Sequence, residues 1–139
     1  MILLDSDHVT VLRMPTSGRR ARLVERLALA IGEEVAIPII AAEETMRGWL
    51  AAIARERLPR RQVFAYRELS TMFAFFARFL IVPFDEAAAD TLDTLGGVRI
   101  GMSDRKIACI AIANDALLLT ANRRDFEQVP SLRFENRLD

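Results

Sequence analysis

Met1-Ile2-Leu3-Leu4-Asp5-Ser6-Asp7-His8 opens the chain, and its reading decides the fold. Ile2, Leu3 and Leu4 form a short unbroken apolar run, the pattern of a parallel strand covered on both faces. Asp5 stops that run, and Ser6 and Asp7 are good N-cap residues for the apolar-periodic segment behind them. The stretch therefore predicts a buried strand that delivers a carboxylate to its C-terminal edge, where open α/β sheets bind ligands. An acid in that position needs a hydrogen-bonding partner or a cation. Function then turns on which other side chains converge on Asp5.

Beyond this strand the pattern alternates. A first helix is predicted over 8–14, closed by Pro15, and a second over 19–31, with Gly32 as its stop. Residues 35–40 read as the second strand, with Pro38 near its end. Helices follow over 41–57 and 60–79, separated by Leu58-Pro59. The second of these carries Phe64, Tyr66, Phe73, Phe75, Phe76 and Phe79 on more than one face, so it is either sandwiched or covers an oligomer contact. Residues 81–84 form a third strand, and Asp85-Glu86 opens a helix reaching about Leu95. Ser103 is the expected N-cap of a helix over 104–114. Residues 117–119 give a fourth buried strand, and 132–135 a fifth at the sheet edge. Strands alternating with helices predict one domain over 1–139, a three-layer α/β/α sandwich with a mainly parallel central sheet.

At 139 residues and 52% hydrophobic content the chain can bury a proper core, which excludes intrinsic disorder. Nineteen basic residues balance nineteen acidic ones, so no global positive field marks a nucleic-acid binder. Lys106 is the only lysine; arginine suits bidentate phosphate contacts, but GC-rich coding explains the bias equally well. Cys109 has no internal disulfide partner and reads as a small buried hydrophobe. Met1 leads straight into a strand and no apolar run approaches membrane-spanning length. The expectation is therefore a cytoplasmic protein with no leader and no membrane partner.

The acids fall at strand ends and helix starts. Asp5 follows the first strand and Glu44 the second, while Asn122 and Asp125 follow the fourth. In a parallel sheet these share one edge. Asp104 joins them only if its helix starts near that edge. Several carboxylates in one cleft repel and raise one another's pKa unless a cation compensates. Oxygen-only ligands favour Mg²⁺ or Mn²⁺, and such a site suits phosphodiester hydrolysis. Zinc is poorly supported, because His8 and Cys109 lie on unrelated elements.

Four motifs in register add a resemblance. M-I-L-L-D-S-D-H looks like the opening strand of PIN-domain ribonucleases, in particular the VapC-like toxins of bacterial toxin–antitoxin pairs. A-E-E-T-M-R-G-W (42–49) resembles the second motif, an acid four residues before a glycine, which selects Glu44 over Glu43. I-G-M-S-D-R-K-I-A (100–108) resembles the third, with its acid at Asp104. L-L-L-T-A-N-R-R-D-F (117–126) resembles the fourth, and V-P-S-L-R-F-E-N (129–136) the closing strand. The resemblance implies that Asp5, Glu44 and Asp104 bind Mg²⁺ or Mn²⁺ and orient the attacking water. Asn122 and Asp125 would complete the shell, and Asp7 and Ser103 would support it by hydrogen bonds. The implied reaction is endonucleolytic cleavage of RNA leaving a 5′ phosphate. A cognate antitoxin is the implied protein partner, and a homodimer fits the aromatic helix. Asn122 departs from the pattern, since many relatives place an aspartate there, and a one-metal site follows. Asp125 is the carboxylate that can stand in.

Simpler readings compete residue by residue. Asp5 and Asp7 could only cap a helix, Asp104 could only favour a helix dipole, and Asp125 could be a turn residue. Glu44 could be a solvated helix residue paired with Arg47 or Arg55, a reading assigned to Glu43, and His8 reads as a packing or capping residue of the first helix. The alternative function is a metal-free PIN-like module that binds nucleic acid or protein without cutting. A metal-dependent phosphatase or DNA-directed nuclease would use the same acids.

Overall fold

Strand β1 (Ile2–Leu4) lies at the centre of a five-stranded sheet in the computed structural model, which describes residues 1–139. It is flanked by β2 (Val35–Pro38) and β4 (Leu117–Leu119), with β3 (Leu80–Val82) and β5 (Arg133–Glu135) at the edges. Every pairing is parallel, and Leu4 sits opposite Leu119. The expected sandwich forms because the central strands β1, β2 and β4 are buried on both faces. Leu3, Ala36 and Leu118 point into one core, while Ile2, Leu4, Ile37 and Leu119 point into the other. That alternation is the two-residue period of a pleated strand.

The first core is closed by α5 (Glu86–Asp93), α6 (Met102–Ala113) and the short α7 (Arg123–Phe126), through Ala88, Ile107, Ile110 and Phe126. The second is closed by α1 (Ser6–Arg13), α3 (Ile39–Arg55) and α4 (Pro59–Phe76), through Val9, Ala41, Met72 and Phe76. Helix α2 (Gly18–Ala28) adds Leu23, which meets Val11 and Leu138 in a smaller cluster. Phe76 is buried, Phe75 and Phe79 pack beside it, and Phe64, Tyr66 and Phe73 remain exposed. Cys109 is buried and unpaired. No helix is long and apolar enough to cross a membrane.

Several boundaries differ from expectation for local reasons. Asp5, not Ser6 or Asp7, is the N-cap of α1, its carboxylate accepting from the Ser6 amide at 2.7 Å. Helix α2 ends at Ala28, and Gly32, at φ +82°, instead serves the turn into β2. Pro38 is both the last residue of β2 and the cap of α3, so strand passes to helix with no loop. Gly101 rather than Ser103 precedes α6, and no side chain caps that helix. Helix α7 is too short to show a helical period in sequence; buried Phe126 anchors it.

Candidate active site

Asp5 continues the ladder of β1, its amide bonding to the Leu119 carbonyl at 2.9 Å, and Thr120 does the same beside it toward Glu135. The two side chains therefore meet just beyond the sheet. The Thr120 hydroxyl donates to Asp5 Oδ2 at 2.7 Å and accepts from the Asn122 amide at 3.1 Å. Asp5 is only 6% exposed, and its pKa is pushed up to about 7. Burial is the main cause and the neighbouring charge of Asp7 the second; the bonds from Thr120 and Ser6 oppose both without cancelling them.

Glu44 reaches the same edge from the second turn of α3. The Ser6 hydroxyl donates to its Oε1 at 3.0 Å, whereas Arg47 pairs with Glu43. The two adjacent glutamates thus divide between site and solvent. Burial raises the Glu44 pKa, and Asp104 adds to it against the Ser6 bond. Asp104 stands in the first turn of α6. Because α6 leads directly into parallel β4, it must run from the C-terminal edge back to the other, and loop 94–101 returns the chain to that edge first. Burial and then Asp125 raise the Asp104 pKa. Asn122 lies between them, its Nδ2 donating to Asp104 Oδ2 at 3.3 Å and to Asp125 Oδ2 at 3.0 Å. Its amide acts here as a clamp on two carboxylates.

Asp7 behaves oppositely to Asp5. Burial pushes its carboxyl up, but hydrogen bonds from the His8 ring and the Ala121 amide outweigh burial and the pKa ends low. It supports the cluster as expected, while Ser103 contributes no hydrogen bond. Sequence reasoning missed Thr120 and read Ser6 only as a cap. Replacing Thr120 by the isosteric valine would leave Asp5 Oδ2 and the Asn122 amide short of a partner. The expected cost is about 1–3 kcal/mol, read from denaturant unfolding at pH 7. A Thr120→Val variant as stable as the wild type would show that the hydroxyl does not hold this edge together.

The donor set fits a hard divalent cation: Asp5, Glu44, Asp104 and Asp125 offer only oxygen, and three of the four are raised by burial and by one another. As the side chains stand, no three of the chain's His, Cys, Asp and Glu residues are grouped so that they could hold one metal ion. Direct ligation by three of them requires side-chain movement; otherwise waters complete the shell. Beside Glu44 a cavity of 370 Å³ opens, lined by Ser6, Thr10, Thr45, Gly48 and Trp49 among others.

Comparison with known proteins bears on the fold. Structures similar over nearly the whole of both chains include VapBC-1 from nontypeable Haemophilus influenzae (TM-score 0.78, 20% identity, 100% of each chain covered). Also similar are VapBC2 from Rickettsia felis, solved bound to a promoter DNA fragment (0.73, 24%, 98% of each chain), and FitAcB from Neisseria gonorrhoeae (0.70, 23%, 99% of this chain and 98% of that one). No curated protein sequence matches. At these identities the structural likeness establishes the fold. The PIN domain family model matches residues 10–132, most of the chain, with strands β2, β3 and β4 and helices α2 to α7 inside the match, so the chain belongs to the PIN domain family.

Proposed function

We propose that the protein is a divalent-metal-dependent endoribonuclease, the toxin half of a toxin–antitoxin pair. The observation that carries this reading is Asp5, a carboxylate buried at the sheet edge among acids that raise one another's pKa. Such a cluster is costly without a cation. Asp5, Glu44, Asp104 and Asp125 would hold Mg²⁺ or Mn²⁺, which when bound supplies a Lewis acid that activates water and offsets phosphoryl charge. Thr120 orients Asp5, Ser6 orients Glu44, and Asn122 spaces Asp104 from Asp125. The cavity beside Glu44 offers the RNA strand room next to the acids. The neighbouring structures are toxin–antitoxin assemblies, which supports a cognate antitoxin as partner. Exposed Phe64, Tyr66 and Phe73 on α4 support a homodimer, and the reading places the protein in the cytoplasm.

Incubation of the pure protein with RNA should give cleavage with Mg²⁺ or Mn²⁺ and none in excess EDTA. Cleavage that persists in EDTA refutes the metal-dependent reading.

Asn122 favours one competing reading. Its amide already satisfies part of Asp104 and Asp125, so the chain could be a metal-free binding module. Calorimetric titration separates the two, since no heat at millimolar Mn²⁺ would select the module.

A further inference from the structure

His8 is fully buried, and beyond its bond to Asp7 the chemistry above gives it no part. The amide of Arg137 donates to its Nε2 at 3.3 Å, so that nitrogen carries no proton. The proton of the neutral ring is then on Nδ1, which lies 2.6 Å from Asp7 Oδ1 and donates to it. The other Asp7 oxygen accepts from the Ala121 amide at 2.8 Å and lies 3.4 Å from the Thr120 hydroxyl that holds Asp5. On the far side, the segment bearing Arg137 is pinned twice. Leu138 is buried against Val11 and Leu23, and Arg26 donates to the Arg137 carbonyl at 2.8 Å.

We propose that His8 is a positioning residue of the active site, tying the segment 136–138 after β5 to Asp7 and, through Ala121 and Thr120, to the Asp5 carboxylate. The inference rests on the metal-dependent reading for its effect on the cation, but the linkage itself belongs to the metal-free protein. Any fully buried imidazole needs a partner at each nitrogen. Here each nitrogen has a different partner, and the two partners lie on opposite sides of the ring.

Two substitutions divide the ring. His8→Gln keeps an acceptor where Nε2 stood and loses the donor to Asp7; His8→Asn keeps the donor and loses the acceptor. In the metal-free protein, amide hydrogen exchange at Ala121 should quicken about tenfold in His8→Gln and stay near wild type in His8→Asn. Exchange at Arg137 should show the reverse. Mn²⁺ affinity by calorimetry should fall about tenfold in His8→Gln, the scale of outer-shell effects on metal binding, and recover in His8→Asn. If both variants shift Ala121 and Mn²⁺ affinity equally, in step with melting temperature, His8 only packs and the proposal fails. Should His8→Gln not fold, Leu138→Ala loosens the segment with His8 intact, and unchanged Ala121 exchange then overturns the linkage. A wild-type protein that binds no Mn²⁺ removes the proposed function, while the Ala121 exchange still decides the role of His8.

Discussion

On the proposed reading, Asp5→Asn should lower RNA cleavage by about 10³-fold or more and at the same time stabilise the metal-free protein. The first effect follows from removing the charge at the centre of the acid cluster. A cation contributes several kcal/mol to a phosphoryl transition state, and each 1.36 kcal/mol is about a factor of ten in rate. Asparagine fills the same space, so the loss cannot be assigned to a cavity. The second effect follows from burial: at pH 8 the wild type carries an ion in a site that is 6% exposed, and the amide does not. Single-turnover cleavage and denaturant unfolding at pH 8 measure the two effects. Residual cleavage within tenfold of wild type would end the nuclease reading, and a destabilised variant would end the electrostatic one.

The metal-free wild type should lose stability as pH rises, the reverse of the usual carboxylate behaviour. With the folded pKa of Asp5 near 7 against an ordinary 3.8, the native state holds a proton between those values that the unfolded chain has released. Stability is then fullest below about pH 4 and falls until pH passes 7, by up to about 4 kcal/mol for this group alone. Glu44 and Asp104, also raised, act in the same direction. Asp7, held low, acts the other way, its contribution being lost as pH falls into the acid range. A drop in melting point of about 10 °C between pH 5 and pH 8 is the expected scale, and Mn²⁺ should restore most of it at pH 8 and little at pH 5. A melting curve that rises over that interval would show that the buried carboxyl is not the dominant group.

The strands and the edge they share were legible because short apolar runs closed by polar residues have few other uses. Asp5 follows from such a run, and so do the places of Asn122 and Asp125 after Leu119. Choosing Glu44 over Glu43 needed the spacing to Gly48; the structure adds the physical distinction, an Arg47 partner for one and a Ser6 hydroxyl for the other. Thr120 was illegible because its role exists only opposite Asp5, 115 residues away, and a threonine after three leucines reads as the end of a strand. His8 showed no signal for its two partners, one of which is a backbone amide. The start of α6 was misplaced by two residues because Ser103 has the chemistry of a cap, while the chain uses Gly101 and leaves that end uncapped.

The parallel pairing of β1 with β4 joins residues far apart in the chain, Leu4 with Leu119 among them. Closing so long a loop is costly and slow, and it cannot begin before the distant strand exists. A ribosome-bound fragment ending before residue 117 has Asp5, Glu44 and Asp104 but neither Thr120 nor the strand that seats Asp5. Whatever chemistry this edge performs therefore waits until β4 and Thr120 have joined the fold.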